Sequence, residues 1–172
     1  MYVARPGWSP PPSVSNTRIV WRDVSRPNQK RRMIASIIPP GWAAGNSLGV
    51  LYLLDQNELA LHALLGAINS TTFEFQLRAY LATGHVSLSS LRKGALPPME
   101  QMLNSPQLAD LVIASIDGDR AAEIAADAYV AKVLYGLTRS EYRIVIRLFE
   151  KLDSGEQKEL LQAYDAMADT RR

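Results

Sequence analysis

Hydrophobic and polar positions change period twice along this 172-residue chain. Residues 17–24, TRIVWRDV, set Ile19, Trp21 and Asp23 against Val20, Arg22 and Val24. That is the period-two pattern of a strand, in β-branched and aromatic residues that favour one. RPNQ (26–29) has turn chemistry. RRMIASIIP (31–39) reads as a second strand, stopped by Pro39-Pro40-Gly41, and NSLGVLYLLD (46–55) as a third. Short strands joined by turns predict an antiparallel sheet.

The period then becomes helical. Over 57–82, Leu61, Leu64, Leu65 and Ile68 fall on one helical face, and Phe73, Leu77 and Tyr80 continue it. Asn69, Ser70, Thr71 and Thr72 are poor helix-interior residues and good caps, so a helix pair broken at Asn69 is expected. Residues 85–98 return to an extended pattern closed by Pro97-Pro98. From there the pattern is helical over 99–116, 119–135, 139–152 and 156–168. Thr138 and Glu141 form a capping box for the third of these, and Ser154 precedes the last. Gly136 and Gly155 punctuate the series. The opening, MYVARPGWSPPPSVSN (1–16), is a Pro/Ser-rich arm with no core of its own. The fold class expected is α+β: a small, mostly antiparallel sheet with a supporting helix pair, then a bundle-like helical segment. The organisation expected is an arm (1–16), a sheet-bearing domain (17–104) and a helical segment (105–172). An arm of this kind suggests a piece cut from a longer protein.

Composition changes the picture through charge. The net charge of +2 conceals a split. Residues 1–100 hold ten Lys/Arg against five Asp/Glu, a balance of +5; the remainder holds nine against twelve, a balance of −3. A basic half joined to an acidic one suggests a polyanion-facing part and a part facing something else. The chain contains no cysteine, which excludes disulfides and thiolate metal sites and fits a cytoplasmic location. No apolar run approaches the ~18 residues a membrane helix needs, so no membrane partner is expected.

The basic residues concentrate in 18–41, where Arg18, Arg22, Arg26, Lys30, Arg31 and Arg32 face only Asp23. Arginine and lysine neutralise phosphates, and arginine also reads guanine edges. Arg22, Arg26, Lys30 and Arg32 on one hairpin would form a ribbon able to enter a major groove. The alternative is a solvated edge strand protected by charge. Asn46-Ser47 is a turn or a polar contact to DNA, and His85 is a helix-exit residue or a phosphate or base contact. Arg92 and Lys93 are merely exposed or DNA-facing. Trp21 is a wedge or core, and core is favoured.

Catalytic signatures are sparse. The chain has no Gly-rich phosphate loop and no G-x-S-x-G elbow. Its two histidines, His62 and His85, lack metal-pair spacing. Asp117-Gly118-Asp119 sits where a helix cap is needed. Glu156-Gln157-Lys158 matches the end of a nuclease motif, but opens an amphipathic helix instead of lying on a strand.

The order of the pieces resembles a known arrangement. RIVWRDVSRPNQKRRMIASIIPPG, GNSLGVLYL and LLGAINSTTFEFQLRAYLATGHVSLSSLRKGALPP (between residues 18 and 98) resemble the target-recognition domain of DNA adenine methyltransferases. These are the gamma-class, TaqI-like enzymes of type II (IIS and IIG) restriction–modification systems. The matching pieces are Trp21-Arg22-Asp23, the basic strand pair, Asn46-Ser47, and Ile68-Asn69-Ser70 with Phe73 and Leu77-Arg78. His85-Val86-Ser87, Leu91 and Leu96-Pro97 close the set. YGLTRSEYRIVIRLFEKL (135–152) is similar to a tail found in such proteins. The resemblance implies double-stranded DNA as the partner, touched by Arg18, Arg22, Arg26, Lys30, Arg31, Arg32, Asn46, Ser47, His85, Ser87, Arg92 and Lys93. The family's catalytic N-P-P-(Y/F) motif and its glycine-containing S-adenosylmethionine motif are absent from this chain. The implied roles are therefore sequence reading here, with no cofactor in this chain. Methylation, and S-adenosylmethionine, would belong to a catalytic methyltransferase domain of the same parent. A second class of function stays open: a helical protein-interaction module, with acidic, leucine-rich helices docking a partner subunit.

Overall fold

A computed structural model of the chain describes residues 9, 11–81 and 84–168. The architecture is α+β, as expected. Strands β1 (Arg18–Arg22), β2 (Ala35–Ile38) and β3 (Leu48–Leu51) form one antiparallel sheet with β1 in the centre. Arg18 pairs with Ile38, and Trp21 with Ala35 on one side and Gly49 on the other. The central strand is buried on both faces, which is why its run of Ile19, Val20 and Trp21 is continuously apolar.

Helices α1 (Glu58–Asn69) and α2 (Thr71–Arg78) break where expected, and the reason is local. Ser70 leaves the helical region, and its hydroxyl accepts the Phe73 N–H at 3.1 Å while donating to Ala67 O at 2.8 Å. It ends one helix and caps the next. Asn69 does a different job. Its amide donates to Ala35 O at 3.0 Å and accepts from Ala35 N at 2.9 Å. One side chain thus replaces a neighbouring strand at the outer edge of β2.

Several expected elements differ. The second strand begins at Ala35, not 31, because the N–H groups of Arg32 and Met33 turn inward to the Glu74 carboxylate. The extended stretch 85–98 contains a short helix, α3 (Leu88–Leu91), capped by Ser87, which accepts the Ser90 N–H. Residues 99–116 form two helices, α4 (Met99–Leu103) and α5 (Pro106–Ile116), since Pro106 starts a helix well but cannot continue one. Helix α6 (Arg120–Tyr129) runs into a π-helical turn, Val130–Leu134, ended by Gly136 at φ +63°. Helix α7 (Arg139–Arg147) carries the expected Thr138/Glu141 capping box. Helix α8 (Ser154–Ala166) starts with Asp153 as its cap, not Ser154, and Glu156 completes the box. Of the Pro/Ser arm, residues 1–8 and 10 lie outside the described residues; Pro12–Ser15 is a 3-10 turn.

The apolar core does not stop at residue 104. One cluster runs from Ile19 and Trp21 through Leu64, Ile68 and Phe73 to Leu108, Val112 and Leu134. A second joins Ala128 and Ala131 to Tyr142, Ile146, Phe149 and Tyr164. Helix α5 packs on α1, and α6 on α5 and α8. The boundary expected at 104/105 therefore falls inside a shared core. The helices after it complete the fold of the sheet-bearing half.

Trp21 is core, not wedge. It is 2% exposed, and its indole N–H donates to Val86 O at 2.7 Å. A Cβ built on Gly49 would lie 2.0 Å from its ring. The β3 backbone approaches the indole more closely than any side chain allows. Gly49→Ala is expected to cost about 1–3 kcal/mol by overpacking. Gly45→Ala, whose added carbon meets nothing within 4 Å, should be near neutral. Urea midpoints of the two variants check this.

Candidate nucleic-acid interface

The basic segment does not form a hairpin ribbon. Residues 23–34 make a long connection folded back on helix α2, and a buried carboxylate organises it. Glu74 is fully buried. Its Oε2 accepts from Arg31 Nε at 2.8 Å and from Met33 N at 3.3 Å. Its Oε1 accepts from Arg32 N at 2.9 Å and Arg78 Nε at 2.9 Å. Burial alone would push this carboxyl up. The Arg31 charge, the Arg32 N–H and the bonds from Arg31 and Arg78 outweigh it and hold the carboxyl below its ordinary value. Burial likewise opposes the charge on Arg31, but the Glu74 and Asp127 carboxylates more than offset it.

Three arginines expected to meet DNA are thus structural. Arg18 is 1% exposed. Its guanidinium donates to the carbonyls of Ser13 and Asn16 at 3.0 Å and to that of Trp42, tying the chain before β1 to the loop after β2. Arg31 also donates to Asn69 O, and its guanidinium lies 5.6 Å from the Phe149 ring centre. Arg32 is buried and donates to Leu81 O at 3.2 Å and Ser25 O at 3.4 Å. Lys30, a fourth, is partly exposed but pairs with Glu156 at the start of α8. Composition placed these cations together; carbonyls and carboxylates that cannot be left unpaired inside the protein turn the three arginines inward, while Lys30 stays exposed.

The remaining candidates converge elsewhere. The end of β1 is held on two sides: Asp23 N–H donates to Ser47 O at 3.0 Å, and Val86 N–H donates to Asp23 O at 2.6 Å. Val24 and His85 form an isolated antiparallel bridge, and Ser25 N–H donates to Gly84 O at 2.6 Å. Loops 23–29, 45–47 and 84–93 are thereby brought to the same end of the sheet. Between them lies a cleft of about 290 Å³, with Trp21 and Gly49 below and Asp23, Asn46, Ser87 and Leu88 around it. His85 Nδ1 sits 3.2 Å from Asp23 Oδ2. Gln29 locks the neighbouring turn: its Oε1 accepts from Arg22 Nη2 at 2.8 Å, Ser25 Oγ at 3.1 Å and Arg26 N at 3.1 Å. Arg22 is half-buried, whereas Arg26, Asn46, Ser47, Arg92 and Lys93 are exposed. Lys93 Nζ rests 5.5 Å from the Tyr80 ring centre. Of the twelve residues expected, eight (Arg22, Arg26, Asn46, Ser47, His85, Ser87, Arg92 and Lys93) lie on or beside these loops.

Asp23 and Gln29 were missed as site residues. Asp23 had a visible signal, an acid alone in a basic run. A larger cavity of about 510 Å³ lies between residues 30–35, α6 and α8. Its charged rim is already satisfied: Arg120 bonds Glu123 at 2.7 Å and approaches Glu156 at 3.5 Å, and Lys30 bonds Glu156. At its floor Asp127 accepts from Thr71 N at 2.8 Å, Thr71 Oγ1 at 2.6 Å and Tyr142 OH at 2.9 Å. Burial and the adjacent Asp127 charge push the Tyr142 phenol up.

No family model, no curated protein and no solved structure matches this chain.

Glu74→Ala leaves Arg31 and Arg78 without their carboxylate, and is expected to destabilise by about 3–5 kcal/mol. Because the folded-state value lies below the ordinary one, the ionised carboxylate stabilises above the ordinary carboxylate range. That contribution is lost as pH falls through the folded value. Denaturation of wild type and Glu74→Gln from pH 7 downward should show their gap narrowing below the ordinary carboxylate range. A gap independent of pH would mean that the charge does not matter.

Proposed function

We propose that this chain is the DNA-recognition part of an adenine-specific DNA methyltransferase of a type II restriction–modification system. It would read duplex DNA for a catalytic domain outside the chain. The observation that carries the reading is the convergence of loops 23–29, 45–47 and 84–93. Arg26, Arg92 and Lys93 are exposed on these loops, and Asp23, Asn46 and Ser87 edge a cleft with hydrogen-bonding side chains. Cations on exposed loops suit phosphates, which position a protein on a duplex. A rigid cleft with Asn46 and Ser87 suits base edges or ordered water. The sequence resemblance supports the same assignment, and its Asn-Ser, Phe and Leu-Arg pieces have clear structural work: Asn69 bonds the edge of β2, Ser70 caps α2, Phe73 and Leu77 are core, and Arg78 pairs with Glu74.

The parent enzyme's S-adenosylmethionine would be held elsewhere, since the residues that bind it in the family have no counterpart here. No catalytic step is assigned to this chain. A cytoplasmic location accords with the reading. The competing reading, a protein-docking module, draws on one observation. Helix α5 exposes Ile113 and Ile116 beside Asp110 and Asp117, an apolar and acidic face unlike a DNA surface.

Fluorescence anisotropy with a mixed-sequence duplex separates the two. Binding should weaken with salt, and Arg26→Ala, Arg92→Ala and Lys93→Ala should each lower the log–log salt slope by about one. Arg31→Ala and Arg32→Ala are unsuitable, because they would unfold the loop. Absence of binding at low salt, with the Asp110/Asp117 face capturing a protein partner, would favour the docking module.

A further inference from the structure

One side chain among the converging loops has the wrong sign for a phosphate. Asp23 is the single acid in segments 23–34, 45–47 and 84–93. It is held firmly. Its backbone N–H bonds Ser47 O at 3.0 Å, and its backbone carbonyl accepts from Val86 N–H at 2.6 Å. Its side chain stays about one-third exposed (32%) at the edge of the 290 Å³ cleft, beside Asn46 and Ser87. His85 Nδ1 lies near one carboxylate oxygen, at 3.2 Å. A carboxylate has two oxygens and about four lone-pair sites, so acceptor capacity remains.

A fixed acid on a polyanion-binding face repels the ligand unless it meets a donor. The major-groove edges that offer donors are the exocyclic amino groups of cytosine and adenine. We propose that Asp23 is a specificity-determining residue: its carboxylate accepts a hydrogen bond from the exocyclic amino group of one cytosine or adenine in the recognised duplex. This rests on the recognition-domain reading above. Asp23 then discriminates among bases and opposes phosphate affinity, the reverse of Arg26, Arg92 and Lys93.

The test selects bound sites from a randomised duplex library with the full chain, as wild type, Asp23→Asn and Asp23→Ala. Wild type is expected to choose cytosine or adenine at one position by about tenfold. Asp23→Asn, which keeps the shape, should weaken that choice and Asp23→Ala remove it, with choices at other positions kept. Non-specific affinity should rise in both variants as the repulsion is removed. A duplex whose selected base lacks the amino group should bind wild type about tenfold more weakly and bind Asp23→Ala no worse. Cooperative thermal unfolding of each variant verifies the fold. Salt-dependent binding with base choice unchanged in Asp23→Ala overturns this proposal and leaves the recognition reading standing. Failure of wild type to bind any duplex overturns that reading, and this proposal with it.

Discussion

The fold of the basic half depends on a single buried carboxylate. Glu74 sits at full burial and gathers two guanidinium groups and two backbone N–H groups. An isolated buried carboxylate is costly, and one arginine would not satisfy its lone pairs. Four donors do. The consequence is geometric: residues 31–33 must pass over α2 with their N–H groups pointing down, so they cannot pair with β1. The ladder starts only where Arg22 N–H reaches Ile34 O at 3.1 Å. The late start of β2, at Ala35, follows from where Glu74 lies.

The same arrangement joins the two halves. Arg31 reaches towards Asp127 of α6, 3.8 Å away, while bonding Glu74 of α2. Asp127 in turn fixes the first residue of α2 through Thr71 and holds Tyr142 of α7. Phe149 lies beneath the Arg78 guanidinium, 4.2 Å from its ring centre. Each arginine facing Glu74 thus has an aromatic or acidic neighbour from beyond residue 104. The acidic helices are therefore part of the support for the basic loops. Their charge excess does not by itself mark a partner surface, because Asp127 and Glu156 are spent inside the protein.

Periodicity made the helix pair legible, since Leu61, Leu64, Leu65 and Ile68 have one reason to recur at that spacing. The break at Asn69-Ser70 and the box at Thr138/Glu141 were legible because caps have a chemical signature. The direction of each arginine was not. A count of cations in 18–32 cannot distinguish Arg26, which is exposed, from Arg18, which meets four backbone carbonyls contributed by segments outside β1. Those acceptors become neighbours only after folding. One clue was present. Glu74 falls beside Phe73 and Leu77 on the buried face of its helix, and an acid there must be neutralised by something. The cations needed for it were the nearby arginines, which removes them from any list of free ones. A core cluster spans the boundary expected at 104, for a related reason. A shift in charge marks a change of surface, whereas a domain boundary is a break in buried contacts, and Leu108 and Val112 pack under α1 with no change of apolar pattern to announce it.

These subtractions alter what a duplex-facing role would require. With Arg18, Arg31 and Arg32 inside and Lys30 paired, few cations remain to hold phosphates. On the recognition-domain reading the counterion-release share of affinity would be correspondingly modest, because it scales with the number of phosphates neutralised. A recognition surface of this kind leans on a stiff scaffold instead. Side chains fixed before binding lose less entropy on binding and discriminate more sharply. The β1 end is built that way: Trp21 against Gly49 below, Ser47 and Val86 clamping Asp23 from two sides, and Gln29 closing the turn through three hydrogen bonds. On the recognition-domain reading, overall affinity would come chiefly from a larger assembly, while the loops at this end of the sheet decide which sequence it accepts. Weak phosphate grip and rigid base-facing geometry would then be two results of one cause, the diversion of arginines into internal hydrogen bonds.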